Sequence, residues 1–104
     1  MRYGLWEVMM LVIIRSAHDT TEGRRGVKLA RDIAADIVLL QNGVYFTQEE
    51  RLVDLGFYNT AYVLEADSRL RGLTDVAGYA NIKGIDYDGL VDLVTESDKV
   101  IGMF

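Results

Sequence analysis

A three-layer α/β/α sandwich built on a mostly parallel five-stranded sheet is the fold this sequence predicts, as one domain over residues 1–104. Three observations predict it. Val8–Ile14 (VMMLVII) and Ile37–Gln41 (IVLLQ) are apolar at nearly every position, as strands buried on both faces are. Amphipathic stretches alternate with such runs, the pattern of βαβ units. No repeat, low-complexity tract or linker interrupts the 104 residues, a length that suits one core.

The elements follow in order. Val8–Ile14 is the first strand, and Arg15–Thr21 a polar loop at its C-terminal end. A helix beginning near Gly23 and Gly26 runs to about Ala35, with Val27, Ala30 and Ala34 inward and Arg24, Arg25, Lys28 and Arg31 in solvent. Ile37–Gln41 is the second strand, and Asn42-Gly43 reads as a tight turn. Thr47 and Glu50 fit a capping box, opening a short helix that ends at Gly56. Ala61–Leu64 is the third strand, Asp67 caps a brief helix stopping at Gly72, and Asn81–Ile85 is the fourth strand. Asp86 caps a helix to about Asp98, with Tyr87, Leu90, Val91 and Val94 as its core stripe and Asp88, Asp92 and Glu96 outside. Val100–Phe104 is a last strand at or near an edge.

Composition narrows the chemistry. Hydrophobic residues make up 50% and charged residues 26%, a globular balance. The absence of cysteine removes disulfides, thiolate metal sites and every cysteine nucleophile, and a single histidine removes multi-histidine sites. The net charge of -5 argues against direct nucleic-acid binding. Residues 1–35 nevertheless hold six basic against four acidic groups, whereas the rest holds five against twelve. A solvated helix face accounts for the basic excess. Leu5–Ile14, interrupted by Glu7, falls short of the ~20 residues of a membrane span. It reads as a strand rather than a signal peptide, with residues 1–8 as a candidate N-terminal extension, and a cytoplasmic protein is the expectation.

In open parallel sheets, ligands gather where loops leave the C-terminal strand ends. Here those loops hold Ser16, His18 and Asp19, then Asn42, Gly43, Tyr45 and Phe46, then the segment around Glu65–Asp67. Ser16, His18 and Asp19 invite a hydrolase reading, but Ser16 lacks the strained elbow that exposes a nucleophile, so His18 is expected to be an exposed, uncatalytic loop residue. Gly23-Arg24-Arg25-Gly26 matches no phosphate-binding loop. Asp88, Asp92 and Glu96 spread over ~12 Å of helix, too far for one cation. No metal or other cofactor is expected. Tyr45, Phe46, Phe57, Tyr58 and Tyr62 divide between core and interface, and Tyr45 with Trp6 and Phe104 leaves apolar surface for self-association.

Three segments carry a family likeness. Val38-Leu39-Leu40-Gln41-Asn42-Gly43-Val44 resembles a strand followed by a "QDGV" turn, with Asn42 replacing Asp. Tyr62 through Leu73 (YVLEADSRLRGL) and Ile85 through Leu93 (IDYDGLVDL) follow in the matching order. Together they resemble the DsrE/DsrF/DsrH sulfur-relay superfamily, most closely its DsrH/TusB branch, from about Met10 to Met103. The resemblance implies a flavodoxin-like fold. It also implies cytoplasmic hetero-oligomers with DsrE/DsrF (TusD/TusC)-like subunits that pass persulfide sulfur toward tRNA 2-thiouridine or through sulfur oxidation. The sulfur-carrying cysteine of the active subunit lies near the end of a central strand; the matching segment here, Glu65–Asp67, has no thiol. The expectation is a non-catalytic subunit that scaffolds a cysteine-bearing partner, or self-associates. The alternative is a small-ligand or nucleotide-binding module using His18, Asn42, Gly43 and Arg71, beside Gly72, at the strand ends.

Overall fold

The computed structural model describes residues 9–48, 52, 55–73 and 81–103. In chain order the elements are β1 (Met10–Ile14), α1 (Thr21–Asp32), β2 (Asp36–Leu39), a 3₁₀ segment (Gln41–Thr47), β3 (Ala61–Leu64), α2 (Glu65–Leu70), β4 (Ile82–Ile85), α3 (Tyr87–Glu96) and β5 (Lys99–Met103).

The strands form one five-stranded sheet in the order β4-β3-β2-β1-β5. Every pairing is parallel, with Val12 opposite Ile37 and Ile101, Ile37 opposite Ala61, and Val63 opposite Gly84. Each crossover from β1 to β4 steps one way across the sheet, and the crossover through α3 returns to the far edge. Right-handed crossovers of opposite direction place their helices on opposite faces. The packing agrees. Val12, Ile14, Ile37, Leu39 and Val63 pack with Val27 and Ala30 of α1 on one face, joined by Phe46 and Phe57. Leu11 and Val38 pack with Leu93 and Leu90 of α3 on the other. The alternation along β1 and β2 is the strand period of two read out as layers. The result is the three-layer, flavodoxin-like α/β architecture that the apolar runs predict. Burying each of these large side chains contributes roughly 1.5–3 kcal/mol.

Local chemistry fixes the helix starts. Thr20 caps α1, its hydroxyl accepting from the Gly23 amide at 3.0 Å and donating to the Ala17 carbonyl at 2.7 Å. Asp86 caps α3 by accepting from the Gly89 amide at 2.8 Å. Gly72 adopts the left-handed backbone expected of a residue ending a short helix; Gly56 is left-handed too, and the helix expected before it falls largely outside the described residues. At the opposite end of the sheet, the Met9 amide donates to Asp98 at 2.7 Å and the Asp98 amide returns a bond to the Met9 carbonyl at 2.8 Å. These bonds hold β5 beside β1.

Several expectations are corrected. Helix α1 starts at Thr21, with Gly23 and Gly26 buried inside it, and Ala34 lies beyond its end in a left-handed turn. Asn42-Gly43 is no two-residue turn: both belong to the 3₁₀ segment, and the left-handed residue is Gln41. Gly43 is required by contact, because a Cβ there would overlap the Ile14 carbonyl oxygen. Thr47 spends its hydroxyl proton on the Val44 carbonyl at 2.8 Å, and its proposed capping partner Glu50 lies outside the described residues. Asp67 sits inside α2 rather than capping it. The core stripe predicted for α3 holds at Leu90 and fails at its other three positions. Leu93 and Leu90 meet the sheet, whereas Tyr87, Val91 and Val94 remain 61%, 62% and 40% exposed. The extension at residues 1–8, with Trp6, and the last residue Phe104 lie outside the described residues.

Candidate functional site

The C-terminal ends of β2 and β3 are joined by a polar network that involves several of the predicted residues. β2 ends against the 3₁₀ segment, whose first residue, Gln41, has φ +50°. No side chain caps this segment from within. The Asp67 carboxylate of α2 supplies the missing acceptor, 2.7 Å from the Gln41 amide. Arg71 closes the circuit, its Nε donating to the Asn42 side-chain oxygen at 3.1 Å and its terminal nitrogen to the Asp67 carbonyl at 3.2 Å. Asn42, Asp67 and Arg71 therefore converge, and their polar groups are directed at one another and at backbone. Gly72 follows as an exposed, left-handed helix end.

His18 stands beside this network, on the loop after β1. The expected exposed histidine is instead partly buried. Its ring lies edge-on to Phe46, centroids 6.2 Å apart, and tilted against Tyr45 at 6.4 Å. Its Nδ1 is buried and has no hydrogen-bond partner among the described residues. Asp19 is exposed, and among the described residues no carboxylate partners Nδ1 as a triad requires. Ser16 contributes its backbone carbonyl to the close packing around Gly23. Of the two aromatics, Phe46 belongs to the core and Tyr45 is half-buried against His18.

The winding of the sheet reverses between β3 and β4, whose following helices lie on opposite faces, and crevices form at such points. Here Glu65 is exposed, with its side chain lying against Gly84 where a Cβ would otherwise stand. Among the described residues no group of three or more His, Asp or Glu side chains is placed to hold a metal ion. No helix among them is long and apolar enough to cross a membrane.

A feature the sequence did not single out lies away from the strand ends. Thr21, Arg24, Arg25, Lys28 and Arg31 of α1, with Leu55, line an open groove of about 330 Å³ whose floor is mainly apolar. Arg31 reaches across it to the Leu55 carbonyl at 3.0 Å and also contacts Asp32 at 3.3 Å. Its sequence signal was the basic spacing of α1, which reads equally well as a solvated face.

These observations define a wholly parallel α/β domain with an internally bonded loop cluster at its strand ends and no thiol. Residues 17–100 match the family described as DsrH like protein, and the chain belongs to that family. The fold is shared with the ychN protein from E. coli, whose crystal structure aligns with a TM-score of 0.77 over 93% of this chain and 100% of that one, at 11% identity. Among curated proteins none matches.

Proposed function

We propose that this chain is a non-catalytic subunit of a sulfur-relay assembly, one that scaffolds or regulates a cysteine-bearing DsrE- or DsrF-like partner during persulfide transfer. The observation that carries the reading is membership of the DsrH-like family by a chain of 104 residues with no cysteine. A persulfide is held on a thiolate, and neither Ser nor Asp can replace it. The strand-end loops support a presenting role. Asn42, Asp67 and Arg71 are tied to one another and to the Gln41 amide, which would hold that part of the surface fixed where a partner's sulfur is received. Cytoplasmic tRNA 2-thiouridine synthesis and sulfur oxidation are the two settings that fit this role, and the net charge of -5 favours protein partners over RNA.

The test is co-expression with thiol-bearing DsrE- and DsrF-like chains, followed by native mass spectrometry. A stable complex is expected, together with reduced thiolation or sulfur oxidation in a deletion strain. Failure to bind either chain, with normal sulfur metabolism in the deletion, overturns the role.

One observation favours a second reading, a small-ligand module: the buried His18 Nδ1 lacks a partner among the described residues. A thermal-shift screen separates the two, since a ligand at ~100 times its dissociation constant adds about 2.7 kcal/mol. Uniformly flat shifts would remove the module.

A further inference from the structure

Helix α3 carries more apolar surface than the sheet uses. At 100° per residue, Leu93, Leu90, Val94, Tyr87 and Val91 occupy one continuous arc. The sheet covers the Leu93–Leu90 side. The Tyr87–Val94–Val91 side is left as an exposed apolar ridge, and Asp88, Asp92 and Glu96, all exposed, run along its flank. On the opposite face of the sheet, the α1 groove has the inverse design. Its floor is mainly apolar, formed with Leu55, and its rim is cationic, from Arg24, Arg25, Lys28 and Arg31.

We propose that α3 of one copy seats in the α1 groove of a second copy, with Tyr87, Val91 and Val94 over Leu55 and the aliphatic stems of the rim, and Asp92 and Glu96 against Arg25 and Lys28. Ridge and groove are both apolar at the centre and opposite in sign at the edges, and charges so placed set orientation and speed encounter. Long cationic side chains suit this arrangement because their stems pack on apolar surface while their heads stay polar. The two surfaces lie on opposite sheet faces, so the contact is head-to-tail. A head-to-tail contact builds a closed ring or an open row, not an isologous pair. The docking requires nothing of the sulfur-relay role and can fail or hold independently of it.

Sedimentation velocity on the full chain tests this, at low salt (about 0.05 M) and high salt (about 0.5 M), across which the screening length falls roughly threefold. The variants are R25E/K28E, D92K/E96K and all four changes together. All four positions are exposed, and circular-dichroism melting verifies that each variant folds. The expected result is self-association of the wild type that weakens at high salt, monomers from each double variant, and recovery of association by at least ~10-fold in the fourfold variant, where the charges are swapped. A monomeric wild type overturns the proposal. So does association untouched by either double variant, or loss without recovery. Sensitivity to D92K/E96K alone also overturns it, and identifies an isologous contact between two α3 ridges instead.

Discussion

The Asp67 carboxylate accepts a 2.7 Å hydrogen bond from the backbone amide of Gln41. That bond links the first turn of α2 to the residue at which the chain turns out of β2. Gln41 has φ +50°, a conformation that costs a non-glycine residue roughly 1–2 kcal/mol. Asp67 offsets this by satisfying the first amide of a 3₁₀ segment that has no side-chain cap of its own. Two consecutive strand ends are thus held in a fixed relation by one carboxylate.

The first prediction concerns this bond. Asp67→Ala should lower stability by about 1–2 kcal/mol in urea melts, the range for a partly exposed charge-assisted bond. Gln41→Gly should stay within about 1 kcal/mol of wild type, because glycine relieves the left-handed strain while freeing the unfolded chain. A harmless Asp67→Ala would show that the 3₁₀ segment holds its own conformation.

A second prediction concerns Gly43. A Cβ at this position would overlap the Ile14 carbonyl oxygen, which is backbone and cannot rotate away. Gly43→Ala should therefore cost at least about 2 kcal/mol by separating the ends of β1 and the 3₁₀ segment. Gly72→Ala is the matched control, since φ is +72° there and an added Cβ would meet nothing within 4 Å among the described residues. Its cost should be only about 1 kcal/mol, from backbone strain alone. Equal losses in thermal melts would show that contact adds nothing at Gly43.

Much of the fold was legible because both faces of the central strands are buried. A run such as Ile37-Val38-Leu39 is apolar whichever way each side chain points, and β3 occupies Ala61–Leu64 as the sequence predicts. Helix α3 was legible in position but not in rotation. Its apolar arc is wider than the surface the sheet presents, so spacing alone could not decide between the Leu90–Leu93 side and the Tyr87–Val91–Val94 side. The convergence of Asn42, Asp67 and Arg71 followed from placing all three at C-terminal strand ends, a rule of topology. Their mutual bonding did not follow, because it depends on the left-handed turn at Gln41, and glutamine gives no sign of that conformation. His18 was misjudged for a similar reason. A loop position implies exposure, and only the folded 3₁₀ segment brings Tyr45 and Phe46 against the imidazole.

The helix caps give a third prediction. Thr20→Ala removes both an acceptor for the Gly23 amide and a donor to the Ala17 carbonyl. Asp86→Ala removes only the acceptor for Gly89. Cap losses run near 1 kcal/mol, so Asp86→Ala should fall about there and Thr20→Ala above it, toward ~2 kcal/mol. Helix α1 is the more deeply buried of the two, which leaves less room for water to replace the lost partner. Reversal of this order in denaturant melts would mean that α3 is the tighter element.

His18 supplies the last prediction, and it separates the functional readings at the strand ends. The imidazole packs against both Tyr45 and Phe46 while its buried Nδ1 has no partner among the described residues. An unpartnered buried nitrogen costs free energy that a ring without it does not. His18→Phe keeps the edge-on contact with Phe46 and removes that nitrogen, so stability should hold or rise by up to about 1 kcal/mol. A scaffolding subunit should retain its partner complex in native mass spectrometry after this change. A ligand module that uses Nδ1 should instead lose its thermal shift, and a hydrolase that uses the imidazole as general base should lose turnover. Melting, complex formation and ligand shift measured on the one variant therefore assign His18: a stable variant that still binds its partner makes the residue part of the packing, and a selective loss of ligand response makes it part of a binding site.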